Sequence, residues 1–319
     1  MNIPYEQLDD FYFNDFVASL HPILQELAVD QHLLKHKEGE PPITTIKKLY
    51  QQQYLYMPWL FVDYCPIPDD QLLTLGKAWI LKIIDFVITD NIVDNQAPDS
   101  TYITLFHQQL RTHTDRLFFE VMGTSATFWS RYYAGIEKLN NANALEVYCA
   151  EQHKAPYTLE VMQELYQGRS GMFSIPIYAM GELSGKVDYV DALSDYYYKI
   201  ALADQLLDDA MDWRDDFRVG RYTLPVVMAL EAIDIPFEQA ANYSEKDYER
   251  AIIKHEILQQ IAQVALDLFA ETRQTLKEMD ARESTLADFL QQRVELAEHS
   301  VRRYNAMGLL DNFSKALLG

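Results

Sequence analysis

The chain has 319 residues, of which 49% are hydrophobic, so it can bury a sizeable core, and its 11 glycines are too few for a β protein dense in turns. Its formal net charge of -21 at pH 7, without a long cluster of lysine and arginine, argues against a nucleic-acid partner and means that an anionic substrate needs bridging cations. Cys65 and Cys149 form no CxxC pair, so the sequence indicates neither a disulfide framework nor a zinc site.

The N-terminal segment MNIPYEQLDDFYFND has no basic stretch followed by an apolar run, so we expect no signal peptide and a cytoplasmic protein. The most apolar segment, AWILKIIDFVITD, contains Lys82 and Asp85. Because it is too short and too charged to cross a bilayer, no membrane span is predicted.

Apolar residues recur at intervals of three and four along nearly the whole chain, which predicts an all-α fold, a single large bundle of about ten helices. No linker rich in serine, glycine or proline separates two halves, so we expect one domain over 1–319. In chain order, the predicted helices span 5–36, 43–64, 69–95, 100–120, 124–152, 157–183, 187–217, 222–234, 245–280 and 284–306.

The predicted helix at 69–95 is apolar on nearly every side, which is typical of a helix inside the core. Near its C-terminal end stand two aspartates four residues apart, Asp90 and Asp94, one turn beyond Phe86. Carboxylates at the end of an interior helix are expected to face a cavity rather than bulk water. Taken alone, the pair would suit a solvated helix end better.

The predicted helix at 157–183 is interrupted by Gly168, Gly171 and Pro176. A proline removes a backbone donor and forces a break or a kink. Two interpretations stay open. The interruption is either a boundary between two shorter helices, or the place where a helix opens at a pocket. In the second case, freed backbone groups and small residues would face a ligand.

The predicted helix at 187–217 has six aspartates and no glutamate between Asp204 and Asp216, although aspartate is the poorer helix former. Asp208, Asp212 and Asp216 stand at every fourth position, so each step turns about 40° around the helix axis and advances about 6 Å along it. The three carboxylates can therefore reach one cluster of cations. Their short side chains suggest oxygens held stiffly for hard metal ions.

The two acidic helix faces repel each other unless cations neutralise them. Oxygen ligands without histidine favour Mg²⁺ over zinc or copper, and Mg²⁺ retains water and binds substrate phosphates. Charge balance therefore predicts a ligand that carries a diphosphate.

At these residues the sequence resembles the class I isoprenoid synthases, which comprise trans-prenyl diphosphate synthases, squalene/phytoene synthases and class I terpene cyclases. The resemblance is strongest over 79–95 and 157–225. DNIVDN resembles the first aspartate-rich motif of all three branches, with Asp90 and Asp94 at its metal-binding ends. QLLDDAMD resembles the second motif of the prenyl diphosphate synthases, and the longer run to Pro225 resembles the squalene/phytoene pattern.

The resemblance implies an all-α bundle with two acidic helices facing a pocket, and Mg²⁺ as the cofactor, about three ions together with the substrate diphosphate. The implied metal ligands are Asp90, Asp94, Asp208, Asp212 and Asp216. The implied diphosphate-binding residues are Arg169, Arg303, Tyr304 and, in place of a basic residue before the last metal ligand, Arg214. Three aromatic rings are candidates for stabilising a cationic intermediate, with ordinary core packing as the alternative: Phe86, Phe173 and Tyr178.

Missing features separate the branches of this family. No GGKR-like segment lies near the N-terminus and no arginine pair follows ITDNIVDNQAPDS, so isopentenyl diphosphate, a second substrate, has no evident anchor. Arg303 and Tyr304 resemble the arginine-tyrosine pair of microbial terpene cyclases. The resemblance therefore favours a Mg²⁺-dependent class I terpene synthase, which ionises a linear allylic prenyl diphosphate and cyclises or quenches the carbocation.

Alternatives to a cyclase remain. Within the family they are head-to-head coupling of the squalene/phytoene type and prenyl diphosphate synthesis. In a different class, the chain would be a helical binding or scaffold protein with a vestigial site. The expected partner is a small-molecule prenyl diphosphate, a homodimer is left open, and the sequence fixes neither the chain length of the substrate nor the product skeleton.

Overall fold

The computed structural model describes residues 3–30, 33–34, 41–48, 52–93, 101–151, 153–279 and 284–318. Across these ranges the regular secondary structure is helical and contains no strand, which confirms the all-α prediction. No helix in these ranges is both long and apolar enough to cross a membrane. Numbered in chain order, the α-helices are α1 (Tyr5–Asp9), α2 (Pro22–Ala28), α3 (Gln52–Leu55), α4 (Met57–Leu60), α5 (Asp69–Val93), α6 (Thr101–Met122), α7 (Ala126–Glu146), α8 (Leu159–Phe173), α9 (Ile175–Ser184), α10 (Val190–Arg218), α11 (Leu224–Ala232), α12 (Glu245–Lys254), α13 (Ile257–Glu278) and α14 (Thr285–Leu318).

The long helices with strong apolar periodicity lie close to their predicted positions. The helices α5, α6 and α7 match the predictions at 69–95, 100–120 and 124–152, and a π-helical segment continues α7. The helices α10 and α11 match the predictions at 187–217 and 222–234. Local sequence was sufficient for these elements because each repeats its apolar pattern over several turns.

Three other predicted helices are broken, and there the predictions are wrong. In the segment 43–64, the described elements are a 3₁₀ turn at Ile46–Lys48 and the separate short helices α3 and α4. In the segment 5–36, Leu20 is extended with φ -82° and ψ 159°, and α2 begins at Pro22, a residue without a backbone N–H. In the segment 245–280, Glu256 has φ 53°, in the left-handed region, between α12 and α13. A helix cannot continue through either backbone conformation.

The interrupted helix at 157–183 is two helices. The helix α8 ends at Phe173, and α9 begins at Ile175 with Pro176 in its first turn, where a proline is tolerated because that N–H has no partner within the helix. The structure therefore shows the first of the two interpretations, a boundary between two shorter helices.

The glycines of this segment serve close packing between α7 and α8. A Cβ atom on Gly135 would lie 2.5 Å from the backbone oxygen of Gly171, and one on Gly168 would lie 2.6 Å from the Cβ of Ala142. Only glycine allows the two backbones to approach so closely. Gly168 and Gly171 are therefore accounted for by helix packing.

The chain divides into two compact units. The first comprises Met1–Ala134 and Ser174–Val190, and the second comprises Gly135–Phe173 and Asp191–Gly319. The divisions fall within α7, between α8 and α9, and at the start of α10. The single domain over 1–319 stays a prediction.

In the first unit α5 is an interior helix, as its sequence predicts. Trp79, at its centre, is fully buried, and its indole N–H donates to the carbonyl oxygen of Tyr54 at 2.6 Å. The apolar residues beside it are also fully buried: Ala78, Ile80, Leu81 and Ile83.

Two charged residues of α5 are buried because they form a cluster with α6. The Asp85 carboxylate lies 3.2 Å from Lys82 Nζ, 2.7 Å from His107 Nδ1 and 3.1 Å from Arg111 Nε. Burial alone would raise the pKa of Asp85, but the His107 hydrogen bond and the two cationic side chains hold it at about 2. The charges that interrupt the apolar segment are therefore neutralised inside the first unit.

Candidate active site

Three predicted metal ligands lie on one face of α10 in the second unit. Asp208 and Asp212 are exposed and Asp216 is half-buried, whereas Trp213, on another side of the helix, is 1% exposed. We call the surface formed by Asp208, Asp212 and Asp216 the aspartate face. The spacing of four residues thus places these carboxylates on the same side of α10, and their joint binding of a metal stays a prediction.

The carboxylates of the aspartate face act on one another. Partial loss of solvent and the negative charge of Asp212 raise the pKa of Asp208. Burial raises the pKa of Asp216 to about 6, where the positive charge of Arg221 opposes the shift and the charges of Asp212 and Asp208 add to it. The face therefore favours any positive charge that reaches it.

One protein cation stands at each end of the row of carboxylates that the aspartate face forms with Asp204, one turn earlier in α10. At one end, Arg293 Nε lies 3.6 Å from Asp204 Oδ2. At the other end, the positive charge of Arg221 opposes the rise in the pKa of Asp216. These two arginines offset part of the cost of the outer carboxylates.

The two middle carboxylates have no such compensation. Within the described ranges, Asp208 and Asp212 form neither a hydrogen bond nor an ion pair. Arg214, the nearest arginine in sequence, is held by other carboxylates, with Nη2 2.5 Å from Glu249 Oε1 and Nε 3.9 Å from Glu245 Oε1. Two adjacent exposed carboxylates are therefore left for a cation from solution.

Arg221 is a candidate that the sequence analysis does not assign. Gly220 has φ 87°, which turns the chain after α10, and the backbone N–H of Arg221 donates to the carbonyl oxygen of Asp216 at 2.9 Å. The turn places an arginine beside the last member of the aspartate face. A glycine followed by an arginine, just beyond the last aspartate, is the signal that marks it.

Asp209, although it adjoins Asp208 in sequence, points into the core. Its side chain is 3% exposed, and Oδ1 accepts a hydrogen bond from Gln205 Nε2 at 2.7 Å. Burial raises the pKa of Asp209 to about 8, and the nearby acidic side chains add to the shift. It lies outside the aspartate face.

Arg169, a predicted diphosphate-binding residue, is buried in the second unit. Its Nη2 lies 2.5 Å from Glu146 Oε2, and its Nη1 donates to the Tyr166 hydroxyl at 3.1 Å. Arg169 is 8% exposed, and its guanidinium already has a carboxylate partner in Glu146. Its role toward a diphosphate stays a prediction.

The predicted pair on the last helix lies on α14. Tyr304 is 5% exposed, and its carbonyl oxygen accepts a hydrogen bond from Gln259 Nε2 of α13 at 3.3 Å. The side chain of Arg303 lies outside the described residues. Diphosphate binding by this pair stays a prediction.

The two predicted ligands of the first unit have different outcomes. Asp90 is half-buried in the last turn of α5, and the neighbouring Asn91 donates to the carbonyl oxygen of Leu33 at 2.5 Å. Asp94 lies outside the described residues. Metal binding at this end of α5 stays a prediction.

The three predicted pocket rings lie in both units. Phe86 is 7% exposed on α5 of the first unit. Tyr178, also in the first unit, has the guanidinium of Arg131 5.1 Å from its ring centroid. In the second unit, Phe173 stacks on Tyr197 with centroids 5.1 Å apart. Core packing accounts for these contacts, and the pocket role stays a prediction.

The donor atoms of the aspartate face suit Mg²⁺. Within the described ranges, no three carboxylate, imidazole or thiol groups lie close enough together to hold a metal ion by themselves. Mg²⁺ in proteins is commonly held by one or two carboxylates together with water and substrate phosphates. Asp208 and Asp212 fit that arrangement because they are oxygen ligands, exposed and without a protein counter-charge.

No protein-family model and no curated protein sequence matches this chain. Solved structures do match. A polyprenyl synthase from Caulobacter crescentus, solved with calcium and isoprenyl diphosphate, is 19% identical, with a TM-score of 0.65 over 92% of this chain and 94% of its own. Heptaprenyl diphosphate synthase from Staphylococcus aureus is 12% identical, with a TM-score of 0.69 over 94% of this chain and 97% of its own.

A third neighbour is geranylgeranyl pyrophosphate synthase from Lactobacillus brevis, 14% identical, with a TM-score of 0.66 over 93% of this chain and 95% of its own. The match extends over nearly the full length in all three cases. Identities of 12% to 19% show a common fold and leave the activity of this chain to be argued from its residues.

Proposed function

We propose that this chain, which has the class I isoprenoid synthase fold, ionises an allylic prenyl diphosphate with the help of Mg²⁺. The observation that supports this most is the aspartate face. Asp208 and Asp212 are exposed, adjacent and without a cation among the described residues. Like charges four residues apart destabilise a helix, and a cation bound between them would remove that cost.

Asp208, Asp212 and Asp216 of α10 are proposed to supply carboxylates to the metal, and Asp90 and Asp94 stay the ligands that the sequence motif suggests. When bound, Mg²⁺ supplies positive charge to the diphosphate as it departs from the allylic carbon. No side-chain nucleophile is required, since breaking the carbon–oxygen bond leaves an allylic cation.

Arginines would bind the diphosphate oxygens with charge-assisted hydrogen bonds. Arg221, whose charge acts on Asp216, is a further proposed donor. The sequence-derived donors are Arg169, Arg303, Tyr304 and Arg214. Of these, Arg214 would have to leave its two glutamate partners to reach a diphosphate.

The cation left behind is stabilised by aromatic faces and destroyed by water. Phe86 and Phe173 are the better candidates for this role, because the ring of Tyr178 already has the Arg131 guanidinium 5.1 Å from its centroid. Each phenylalanine is buried within its own unit, away from water.

The fate of the cation has two candidates. The structural neighbours are prenyl synthases, which favours transfer of the prenyl group to a second prenyl substrate. The sequence has no GGKR-like segment near its N-terminus and no arginine pair after DNIVDN, which favours cyclisation or quenching without a second diphosphate. Prenyl transfer is the first candidate, and terpene cyclisation is the second.

Incubation of the pure protein with C10, C15, C20 and C25 allylic diphosphates and MgCl₂ tests the proposal. Release of diphosphate should require MgCl₂ and should fall by about 100-fold or more in Asp208→Asn. Products are identified by mass spectrometry with and without isopentenyl diphosphate. A longer prenyl diphosphate formed only with isopentenyl diphosphate supports transfer, and a hydrocarbon or alcohol formed without it supports cyclisation.

Asp215→Asn is the matched control on the same helix. Asp215 is exposed and paired with Arg218 at 2.9 Å, so its loss removes an aspartate without touching the aspartate face. The control should keep the wild-type rate. Full activity in Asp208→Asn, or no Mg²⁺-dependent release from any of the four substrates, would show that the proposal is wrong.

A further inference from the structure

A line of polar side chains crosses the second unit from α7 to α10. Arg169 Nη2 lies 2.5 Å from Glu146 Oε2, and Arg169 Nη1 donates to the Tyr166 hydroxyl at 3.1 Å. The Tyr166 hydroxyl donates to Gln205 Oε1 at 2.5 Å, and Gln205 Nε2 donates to Asp209 Oδ1 at 2.7 Å. We call these five residues the polar chain. It joins a guanidinium on α8 to a carboxylate beside the aspartate face.

Each hydrogen bond in the polar chain has one direction. An arginine has donors only, so the Tyr166 oxygen accepts from Arg169. The single hydroxyl proton of Tyr166 then goes to Gln205, which turns the amide oxygen toward Tyr166 and the amide nitrogen toward Asp209. The Arg169 guanidinium, which can only donate, therefore fixes the orientation of Tyr166 and Gln205 between itself and Asp209.

Most of the polar chain is shielded from water, and Gln205 is half-buried. Tyr166 is 7% exposed, Arg169 8% and Asp209 3%. Within the described ranges, Gln205 is the hydrogen-bond partner of Asp209, and the second carboxylate oxygen of Asp209 accepts none. Loss of Gln205 would leave the buried Asp209 without its partner, and loss of the Tyr166 hydroxyl would remove one hydrogen bond each from Arg169 and Gln205. Because Asp209 follows Asp208 directly in α10, a shift of Asp209 moves the backbone that carries Asp208.

We propose that Tyr166 and Gln205 are positioning residues that hold Asp208 and Arg169 in a fixed relation, so that the metal end and the diphosphate end of the site are ordered together. This inference rests on the proposed function, in which Asp208 binds Mg²⁺ and Arg169 binds the diphosphate. A chain that only stabilised the fold would affect unfolding and leave Mg²⁺-dependent diphosphate binding unchanged.

Tyr166→Phe tests the inference, because it keeps the ring and removes the hydroxyl that links Arg169 to Gln205. Tyr248→Phe is a matched control. Tyr248 is fully buried in the second unit, and its hydroxyl donates to the carbonyl oxygen of Ala240 at 2.7 Å. For each protein, titration calorimetry with inorganic diphosphate in MgCl₂ gives the Kd and the MgCl₂ concentration at half-maximal binding, and thermal unfolding gives the Tm.

We expect Tyr166→Phe to raise both the Kd for diphosphate and the half-saturating MgCl₂ concentration by about fivefold to tenfold, the equivalent of one buried hydrogen bond. Tyr248→Phe should lower the Tm about as much as Tyr166→Phe does, and it should change neither the Kd nor the half-saturating MgCl₂ concentration. Gln205→Leu should reproduce the effect of Tyr166→Phe, and the double variant should bind no more weakly than the worse single variant, since both break one chain.

Wild-type binding by Tyr166→Phe would overturn the inference, as would an equal loss of binding in Tyr248→Phe. Asp208→Asn separates this failure from failure of the proposed function. If Asp208→Asn loses Mg²⁺-dependent diphosphate binding while Tyr166→Phe keeps it, the inference alone is wrong. If Asp208→Asn binds as the wild type does, the proposed function is wrong and the inference falls with it.

Discussion

Removing the charges of the two uncompensated aspartates should stabilise the metal-free protein. Asp208 and Asp212 lie about 6 Å apart along the axis of α10, where two unit charges repel by about 0.7 kcal/mol in water. Asp212 also repels Asp216. Asparagine and aspartate have similar helix propensities, so the charge is the main change.

The double variant Asp208→Asn/Asp212→Asn should therefore gain about 0.5 to 1 kcal/mol in EDTA, because the surface position and salt screen part of the repulsion. For a chain of this size, that corresponds to a rise in Tm of about 1 to 3 °C. With MgCl₂ and inorganic diphosphate the order should reverse. A ligand at about 100 times its Kd stabilises the wild type by about 2.7 kcal/mol and leaves the variant unchanged.

Differential scanning calorimetry at pH 7.5 measures both effects, with Asp215→Asn as the control that should gain no stability in EDTA and keep the response to MgCl₂ with diphosphate. The reasoning is refuted if the double variant is less stable than the wild type in EDTA. It is also refuted if MgCl₂ with diphosphate stabilises the variant as much as the wild type.

Three further predictions concern the core of each unit. Asp85→Asn leaves the buried Lys82 ammonium without its carboxylate, so urea unfolding should show a loss of about 3 to 5 kcal/mol; a loss below 1 kcal/mol would contradict the account of this cluster. Gly135→Ala places a Cβ atom 2.5 Å from a backbone oxygen of α8 and should cost about 1 to 3 kcal/mol, whereas Asn140→Ala, exposed on the same helix, should cost none. Burial raises the pKa of Asp209 from 3.8 to about 8, so its contribution to stability is full below pH 4 and is lost as the pH rises through 8. The stability of Asp209→Asn relative to the wild type should therefore increase between pH 4 and pH 8, and a pH-independent difference in chemical denaturation would contradict this.

The features that the sequence predicts well depend on residues a few positions apart. The interior position of α5 follows from its run of apolar side chains, and the aspartate face of α10 follows from the spacing of Asp208, Asp212 and Asp216. Both are consequences of the helical repeat, which is local.

The features that the sequence does not predict depend on contacts between distant residues or on unusual backbone. Glu146 and Arg169 are 23 positions apart, and nothing in either segment identifies the other as its partner. The break at Glu256 uses a left-handed conformation without a glycine, so the apolar pattern continues through it. Asp209 could have been assigned to the core, because the helical repeat places it beside Leu206 and Trp213, whereas Asp208 lies beside Asp204 and Asp212.

The most direct test of the central claim is a crystal structure of the protein grown with Mn²⁺ and inorganic diphosphate, with Mn²⁺ located by its anomalous scattering. The account predicts a metal peak at about 2.1 Å from carboxylate oxygens of Asp208 or Asp212, bridged to the diphosphate. Diphosphate bound with no metal at the aspartate face, or metal peaks confined to other carboxylates, would contradict it.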